Sequence, residues 1–253
     1  MKAIYSISLM AAAVALLTLA EPVRASEIDD RIEASARESY VFKTFLQGDD
    51  IKIQSLDGVV TLTGIVSEES RRGLASETVA GLPDVKSVDN RLAVKGASPT
   101  PNSDAWLREK VKATLLFHRS VGAVTTGVDV KDGIVTLHGD AASQARKELT
   151  TEYAKDVEGV KDVENEMTVS NAPETTVARV VGKIDDASIT AQIKMALLFH
   201  RSTSALNTKV ETNNGVVTLC GKAGNAAEKE LVNKLVSDIN GVESVNNRMT
   251  IEQ

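Results

Sequence analysis

The sequence predicts an α+β chain of three tandem αββαβ modules, each a small three-stranded mixed sheet with two helices on one face. Three observations carry this. The run Asp57-Gly58-Val59-Val60-Thr61-Leu62-Thr63-Gly64 returns as Asp132-Gly133-Ile134-Val135-Thr136-Leu137-His138-Gly139 and again as Asn214-Gly215-Val216-Val217-Thr218-Leu219-Cys220-Gly221. The register around it has no gap, because Asn90, Asn165 and Asn247 each follow Gly64, Gly139 and Gly221 by 26 residues. Apolar spacing also switches between helix and strand periods in the same order in every copy. A repeat of this size is one folding unit copied, so every residue can be compared with its counterparts.

Each module opens on apolar residues at i, i+4 and i+8 (Ile32/Ala36/Tyr40, Leu107/Val111/Leu115, Ile189/Ile193/Leu197) with charged residues between many of them, the pattern of an amphipathic helix. A short strand through Ile53, Val128 or Val210 comes next. The pairs Asp57-Gly58, Asp132-Gly133 and Asn214-Gly215 tolerate positive φ and predict a tight hairpin. The shared Val/Ile-Val-Thr-Leu run is the second strand. Leu74/Thr78/Leu82, Leu149/Tyr153/Val157 and Leu231/Leu235/Ile239 predict a second helix, and Val88/Leu92/Val94 with its counterparts a last strand. A strand, helix, strand connection within one sheet crosses right-handed, which places both helices on one face.

The modules span 29–95, 104–171 and 186–253, with linkers 96–103 and 172–185 that contain Pro99, Pro101 and Pro173. Units this small remove only about 60% of their surface from water, so they are either marginal alone or packed on one another. Residues 1–25 read as a secretory signal. Lys2 supplies the positive start, Ile7 to Ala20 is apolar but short for a bilayer span, and cleavage is expected after Ala25, with Ala20 the alternative cut. The expected mature N-terminus is Ser26. The single cysteine, Cys220, lies far from the apolar run, so a lipid-accepting cysteine and an internal disulfide are both unexpected.

Without residues 1–25 the chain carries 27 basic and 34 acidic residues, a net of −7 that disfavours general nucleic-acid binding. The first two modules are each −3 and the third is neutral.

The chemistry-bearing residues do not repeat. His118 and His200 end the first helix within an identical Leu-Leu-Phe-His-Arg-Ser run, but Lys43 holds that place in the first module. A cation there interacts favourably with the helix dipole by ~0.3–1 kcal/mol. The alternative is a metal or anion site built from His-Arg. His138 and Cys220 share a position with Thr63, which argues for a tolerant strand site and against a catalytic cysteine. Asn90, Asn165 and Asn247 alternate with apolar residues and so face the core, where a buried amide ties a loop or helix end. No catalytic, cofactor or metal residues are predicted.

The αββαβ order, the glycine pair around Val-Val-Thr-Leu, and the Gly-Val-x-x-Val-x-Asn segment at Gly159 to Asn165 and Gly241 to Asn247 resemble the BON domain of bacterial envelope proteins. Asp84 replaces that first glycine in module one. Tandem copies behind a signal segment are similar to the osmotically inducible periplasmic protein Y group. The resemblance implies a non-enzymatic periplasmic stress protein whose modules contact phospholipid or assist envelope proteins.

Two surfaces follow as expectations. The first helix of module two carries Trp106, Arg108, Lys110, Lys112 and Arg119 against Asp104 and Glu109, a local +2 suited to an anionic phospholipid surface. Open sheet faces and edges suit extended clients such as unfolded outer-membrane or other envelope proteins. The leading expectation is a chaperone-like or envelope-maintenance role by multivalent binding, with peripheral phospholipid binding as the alternative.

Overall fold

The computed structural model describes residues 27–96, 99–121, 126–170, 183–203 and 208–252. The expected signal segment 1–25 and most of the linker 172–185 lie outside the described residues, as does part of the linker 96–103.

Module one contains α1 (Glu27–Glu38), α2 (Tyr40–Thr44), β1 (Asp50–Leu56), β2 (Val59–Val66), α3 (Glu69–Ala80) and β3 (Ser87–Val94). Module two contains α4 (Asp104–Phe117), β4 (Thr126–Lys131), β5 (Ile134–Ala141), α5 (Gln144–Lys155), β6 (Asp162–Asn165) and β7 (Thr168–Val169). Module three repeats this as α6 (Asp186–Phe199), β8 (Thr208–Asn213), β9 (Val216–Ala223), α7 (Ala226–Ser237), β10 (Ser244–Asn247) and β11 (Thr250–Ile251). In each, the hairpin is antiparallel and the last strand runs parallel to the central one, with Asn90, Asn165 and Asn247 opposite Leu62, Leu137 and Leu219. The pairs β6/β7 and β10/β11 are single strands interrupted for two residues, because Asp140 opposite Thr168 keeps the register of Leu137 opposite Asn165. The fold class is therefore the expected one.

The hairpin turns hold Asp57, Asp132 and Asn214 at φ 53°, 53° and 49° and their glycines at 77°, 83° and 77°. Each turn is clamped from the start of the first helix. Asp104 accepts from the Asp132 and Gly133 amides, Asp186 from those of Asn214 and Gly215, and Asp29 from those of Asp57 and Gly58. Val60, Leu62, Val135, Leu137, Val217 and Leu219 lie wholly inside, each contributing about 1.5–3 kcal/mol of burial.

Two local expectations shift. The expected positions Leu74, Thr78 and Leu235 are buried, but those common to all three cores are Ala75/Val79, Thr150/Ala154 and Val232/Val236, one residue later, and Leu82, Val157 and Ile239, also buried, lie past the helix ends. The first helix of module one is also broken. Ser39, extended at φ −60°, ψ 149°, ends α1 and caps α2, whereas α4 and α6 run unbroken to Phe117 and Phe199.

The modules pack on one another. α6 lies against both α3 and α4, and one buried apolar cluster runs through modules one and three and takes in Ala113 and Phe117 of module two. Module two keeps a core of its own around Leu107, Leu115 and Leu137.

Candidate functional site

The identical Leu-Leu-Phe-His-Arg-Ser runs end α4 and α6, and each docks on the loop that follows the second helix of the other module. The Arg119 amide donates to the Asp238 carbonyl at 3.0 Å and the Asn240 amide to the Phe117 carbonyl at 3.0 Å. The Arg201 amide donates to the Asp156 carbonyl at 2.9 Å and the Glu158 amide to the Phe199 carbonyl at 2.9 Å. Residues 82 apart in sequence thus exchange roles, and modules two and three meet in a self-complementary contact of the kind that relates two-fold dimers.

The side chains follow the same rule. The Arg119 guanidinium donates to the carbonyls of Val242, at 3.1 Å, and Ser237. Arg201 reaches the carbonyls of Val160, at 2.8 Å, and Lys155. Each arginine satisfies carbonyls at the negative end of a helix on the neighbouring module. His118, 2% exposed, stands 3.4 Å from the Asp238 carboxylate, and His200, 7% exposed, stands 3.3 Å from that of Asp156. The Ser202 amide donates to His200 Nδ1, so Nε2 is the nitrogen facing Asp156.

One half is more elaborate. Tyr153 stacks on His118 with centroids 3.8 Å apart and donates its hydroxyl to Asp238 at 2.6 Å, and Ser120 donates to the same carboxylate. Burial raises the Asp238 pKa, but the nearby His118 ring and the hydroxyls of Ser120 and Tyr153 outweigh it and leave the group below the usual carboxylate range. Asp156 is also depressed, chiefly by His200. Burial and then the bond to Asp238 push the Tyr153 hydroxyl up. Leu235 occupies the place of Tyr153 in module three, so Asp156 has no such partner.

Module one meets module three differently. The break at Ser39 frees the Tyr40 and Val41 amides, which donate to Asp185 Oδ2 at 2.8 Å and Ser188 Oγ at 3.1 Å at the start of α6. Asp185 also caps α6 through the Ser188 amide. Gly81, the counterpart of Asp156 and Asp238, lies so close to Ala187 that an added Cβ would stand 3.3 Å from its Cα.

The one identical chemistry-bearing run is therefore an internal interface. His118 and His200 do end their helices, but they are buried against carboxylates of the adjacent module. Among the described residues no three His, Cys, Asp or Glu side chains converge as a metal would require. His138 lies over Gly127 on the outer face of β5 and faces Asp129 at 3.7 Å, while Cys220 is half-buried on the corresponding face of β9. Asn90, Asn165 and Asn247 tie the second helix to the last strand, donating to the Arg72, Lys147 and Lys229 carbonyls at 3.0, 2.8 and 2.9 Å.

The three copies match the model of one family, the BON domain, at residues 28–96, 103–171 and 185–253. The chain is a BON-domain protein. Over 144 residues it is 34% identical to "Osmotically-inducible protein Y" of Escherichia coli, covering 57% of this chain and 70% of that one. It is 32% identical over 114 residues to "Outer membrane lipoprotein DolP" of Haemophilus influenzae, covering 45% of this chain and 56% of that one. It is also 27% identical over 159 residues to a "21 kDa hemolysin" of Actinobacillus pleuropneumoniae, covering 62% and 72%.

The five basic and aromatic residues expected on the first helix of module two do not share one surface in this BON array, and Arg119 lies past the end of α4. Arg108 and Lys112 are exposed. Lys110 is 9% exposed, its ammonium 3.5 Å above the Trp106 ring and 3.8 Å from Glu158, and burial lowers its pKa. Trp106 borders a groove between α3, α4 and α6, and Arg119 is committed to module three. The residues that sequence reasoning missed are Tyr153, Asp156 and Asp238. Their signal was present: both aspartates occur in the two modules that carry histidine, and Gly81 occurs in the one that carries Lys43.

Proposed function

We propose that this protein is a non-enzymatic binding protein of the periplasm, exported through residues 1–25, that holds unfolded or partly folded envelope proteins during osmotic or other envelope stress. The observation that carries the reading is the set of outer sheet faces. Val59 and Ile65 on β2, Ile134 on β5 and Val216 on β9 are 38–51% exposed beside threonines, on the sheet faces away from the helices. Three such faces held in fixed relation by the module contacts suit several weak contacts with one extended client. Similarity to an osmotically inducible protein and to an outer-membrane lipoprotein supports the stress and envelope setting. Among the described residues no helix is long and apolar enough to cross a membrane.

The test is aggregation of a denatured outer-membrane protein diluted with and without the mature protein. The reading expects suppression at stoichiometric ratios, reduced by Val59→Lys with Ile65→Lys. Unchanged aggregation with wild type would sink it.

A second reading, peripheral binding to anionic phospholipid, is favoured by the exposed pair Arg108 and Lys112 on one turn of α4. Basic residues near such a surface are worth roughly 1 kcal/mol each and are screened by salt. Under this reading Arg108→Glu with Lys112→Glu abolishes co-sedimentation with anionic vesicles. Equal sedimentation with neutral vesicles argues against it.

A further inference from the structure

The groove where the three modules meet has a composition that neither module core explains. It measures about 360 Å³ and is bordered by the first turns of α3, by Trp106, Glu109 and Lys110 of α4, and by Met195, Leu198 and Phe199 of α6. This volume lies at the lower end of the range of roughly 300–1,000 Å³ seen for ligand sites. Its apolar wall is not closed. Leu198 is 50% exposed on a helix whose other apolar residues are buried, and its counterpart in module one, Val41, is wholly inside.

The charges are unequal. Glu69 pairs with Arg72 at 2.5 Å and Glu77 with Lys194 at 2.8 Å. Lys110 is held over Trp106 and turned toward Glu158. Among the described residues Glu109 forms no ion pair within contact distance, and its Oε2 is out of contact with water and has no hydrogen-bond partner. Burial first, and then the charges of Glu68 and Glu69, raise its pKa, and the Glu69 backbone amide and the Arg108 charge offset this only in part. A buried acceptor of this kind costs stability until a donor reaches it, and a positively charged donor satisfies it best.

We infer that this groove binds a short extended segment of unfolded polypeptide that places one arginine or lysine against Glu109 and apolar side chains against Trp106, Met195 and Leu198. The inference rests on the client-binding reading and names the chemistry of the segment that the three-module junction selects. The aromatic and sulfur-containing wall adapts to varied apolar side chains, and Glu109 supplies the preference for a basic one.

Trp106 is the only tryptophan of the chain, so its emission reports on the groove directly. The probes are two blocked pentapeptides, leucine-phenylalanine-X-phenylalanine-leucine, with arginine or glutamate at X, titrated into the mature protein. The arginine peptide is expected to shift Trp106 emission saturably and to bind at least about tenfold tighter than the glutamate peptide, the size of one charge-assisted contact. Glu109→Gln, which keeps the side-chain shape, removes that preference. Leu198→Ser weakens both peptides. Equal binding of the two peptides, or an unchanged preference in Glu109→Gln, overturns the inference. Aggregation assays separate it from the reading it rests on: if the peptides fail to bind while wild type and Glu109→Gln both suppress client aggregation, the groove is wrong and client binding stands. If the arginine peptide binds selectively and no aggregation is suppressed, the groove stands and the client role falls.

Discussion

Module three is held from two sides by copies of its own fold, and the two contacts are built from different chemistry. Module two meets it through equivalent loops that exchange four backbone hydrogen bonds and two histidine-aspartate contacts. Module one meets it through α3 against α6 and through two amides freed by the break at Ser39, which donate to Asp185 and Ser188. The first contact leaves module two a core of its own and adds only Ala113 and Phe117 to the shared cluster, whereas the second merges two cores into one. A repeated unit therefore has more than one way to satisfy the end of its first helix. The choice turns on three positions: histidine or Lys43, serine or a continuing helix at Ser39, aspartate or Gly81.

The largest effect expected from breaking this comparison is at Asp238. Asp238→Ala leaves Tyr153, Ser120 and His118 facing a gap, and we expect a loss of about 3 kcal/mol by urea denaturation. Asp156→Ala removes a more exposed group with fewer partners and should cost about 1 kcal/mol. Equal losses would show that the Tyr153 network adds nothing.

Acid should act on the same contact. Both aspartates titrate below their ordinary range when folded, so the stability they contribute is present above the unfolded value, near ~4, and is lost as pH falls through the folded values. Denaturation midpoints should drop below about pH 4 in wild type and drop less in Asp156→Asn with Asp238→Asn. Parallel curves for the two proteins would rule out these carboxylates as the acid-sensitive groups.

At the other seam, Asp185→Ala removes both the cap of α6 and the acceptor of the Tyr40 amide. The expected cost is about 1–2 kcal/mol, and Ser188→Ala should cost about 1. If isolated module three loses as much from Asp185→Ala as the full chain, the contact with Tyr40 contributes nothing. The smallest effect is at Cys220 on the outer face of β9, where Cys220→Ser should change stability by less than about 0.5 kcal/mol in thermal melts. A larger change would mean that this face is covered.

Much of each module was legible in the sequence. The Asp-Gly and Asn-Gly turns require positive φ, the Val-Val-Thr-Leu runs alternate inward and outward, and each asparagine has a fixed place opposite the central strand, all of which are local constraints. The clamp from Asp29, Asp104 and Asp186 was legible in principle, since each lies 28 residues before its turn. The roles of His118 and His200 were not, because a helix-end cation and an interface histidine have the same neighbours in sequence. Lys110 misled for a related reason. Its charge suggested a surface, but a long side chain can lay its ammonium over Trp106 inside a junction.

The sequence by itself determined three BON units, their strand order and their hairpins, because turn chemistry and apolar period act over a few residues and need no partner module. Only the tertiary structure decided which α4 charges remain on the surface, which histidines are buried and where the three modules leave a groove. Those outcomes depend on groups far apart in the chain meeting across a seam, and nothing in local spacing encodes the angle at which one folded unit settles on another.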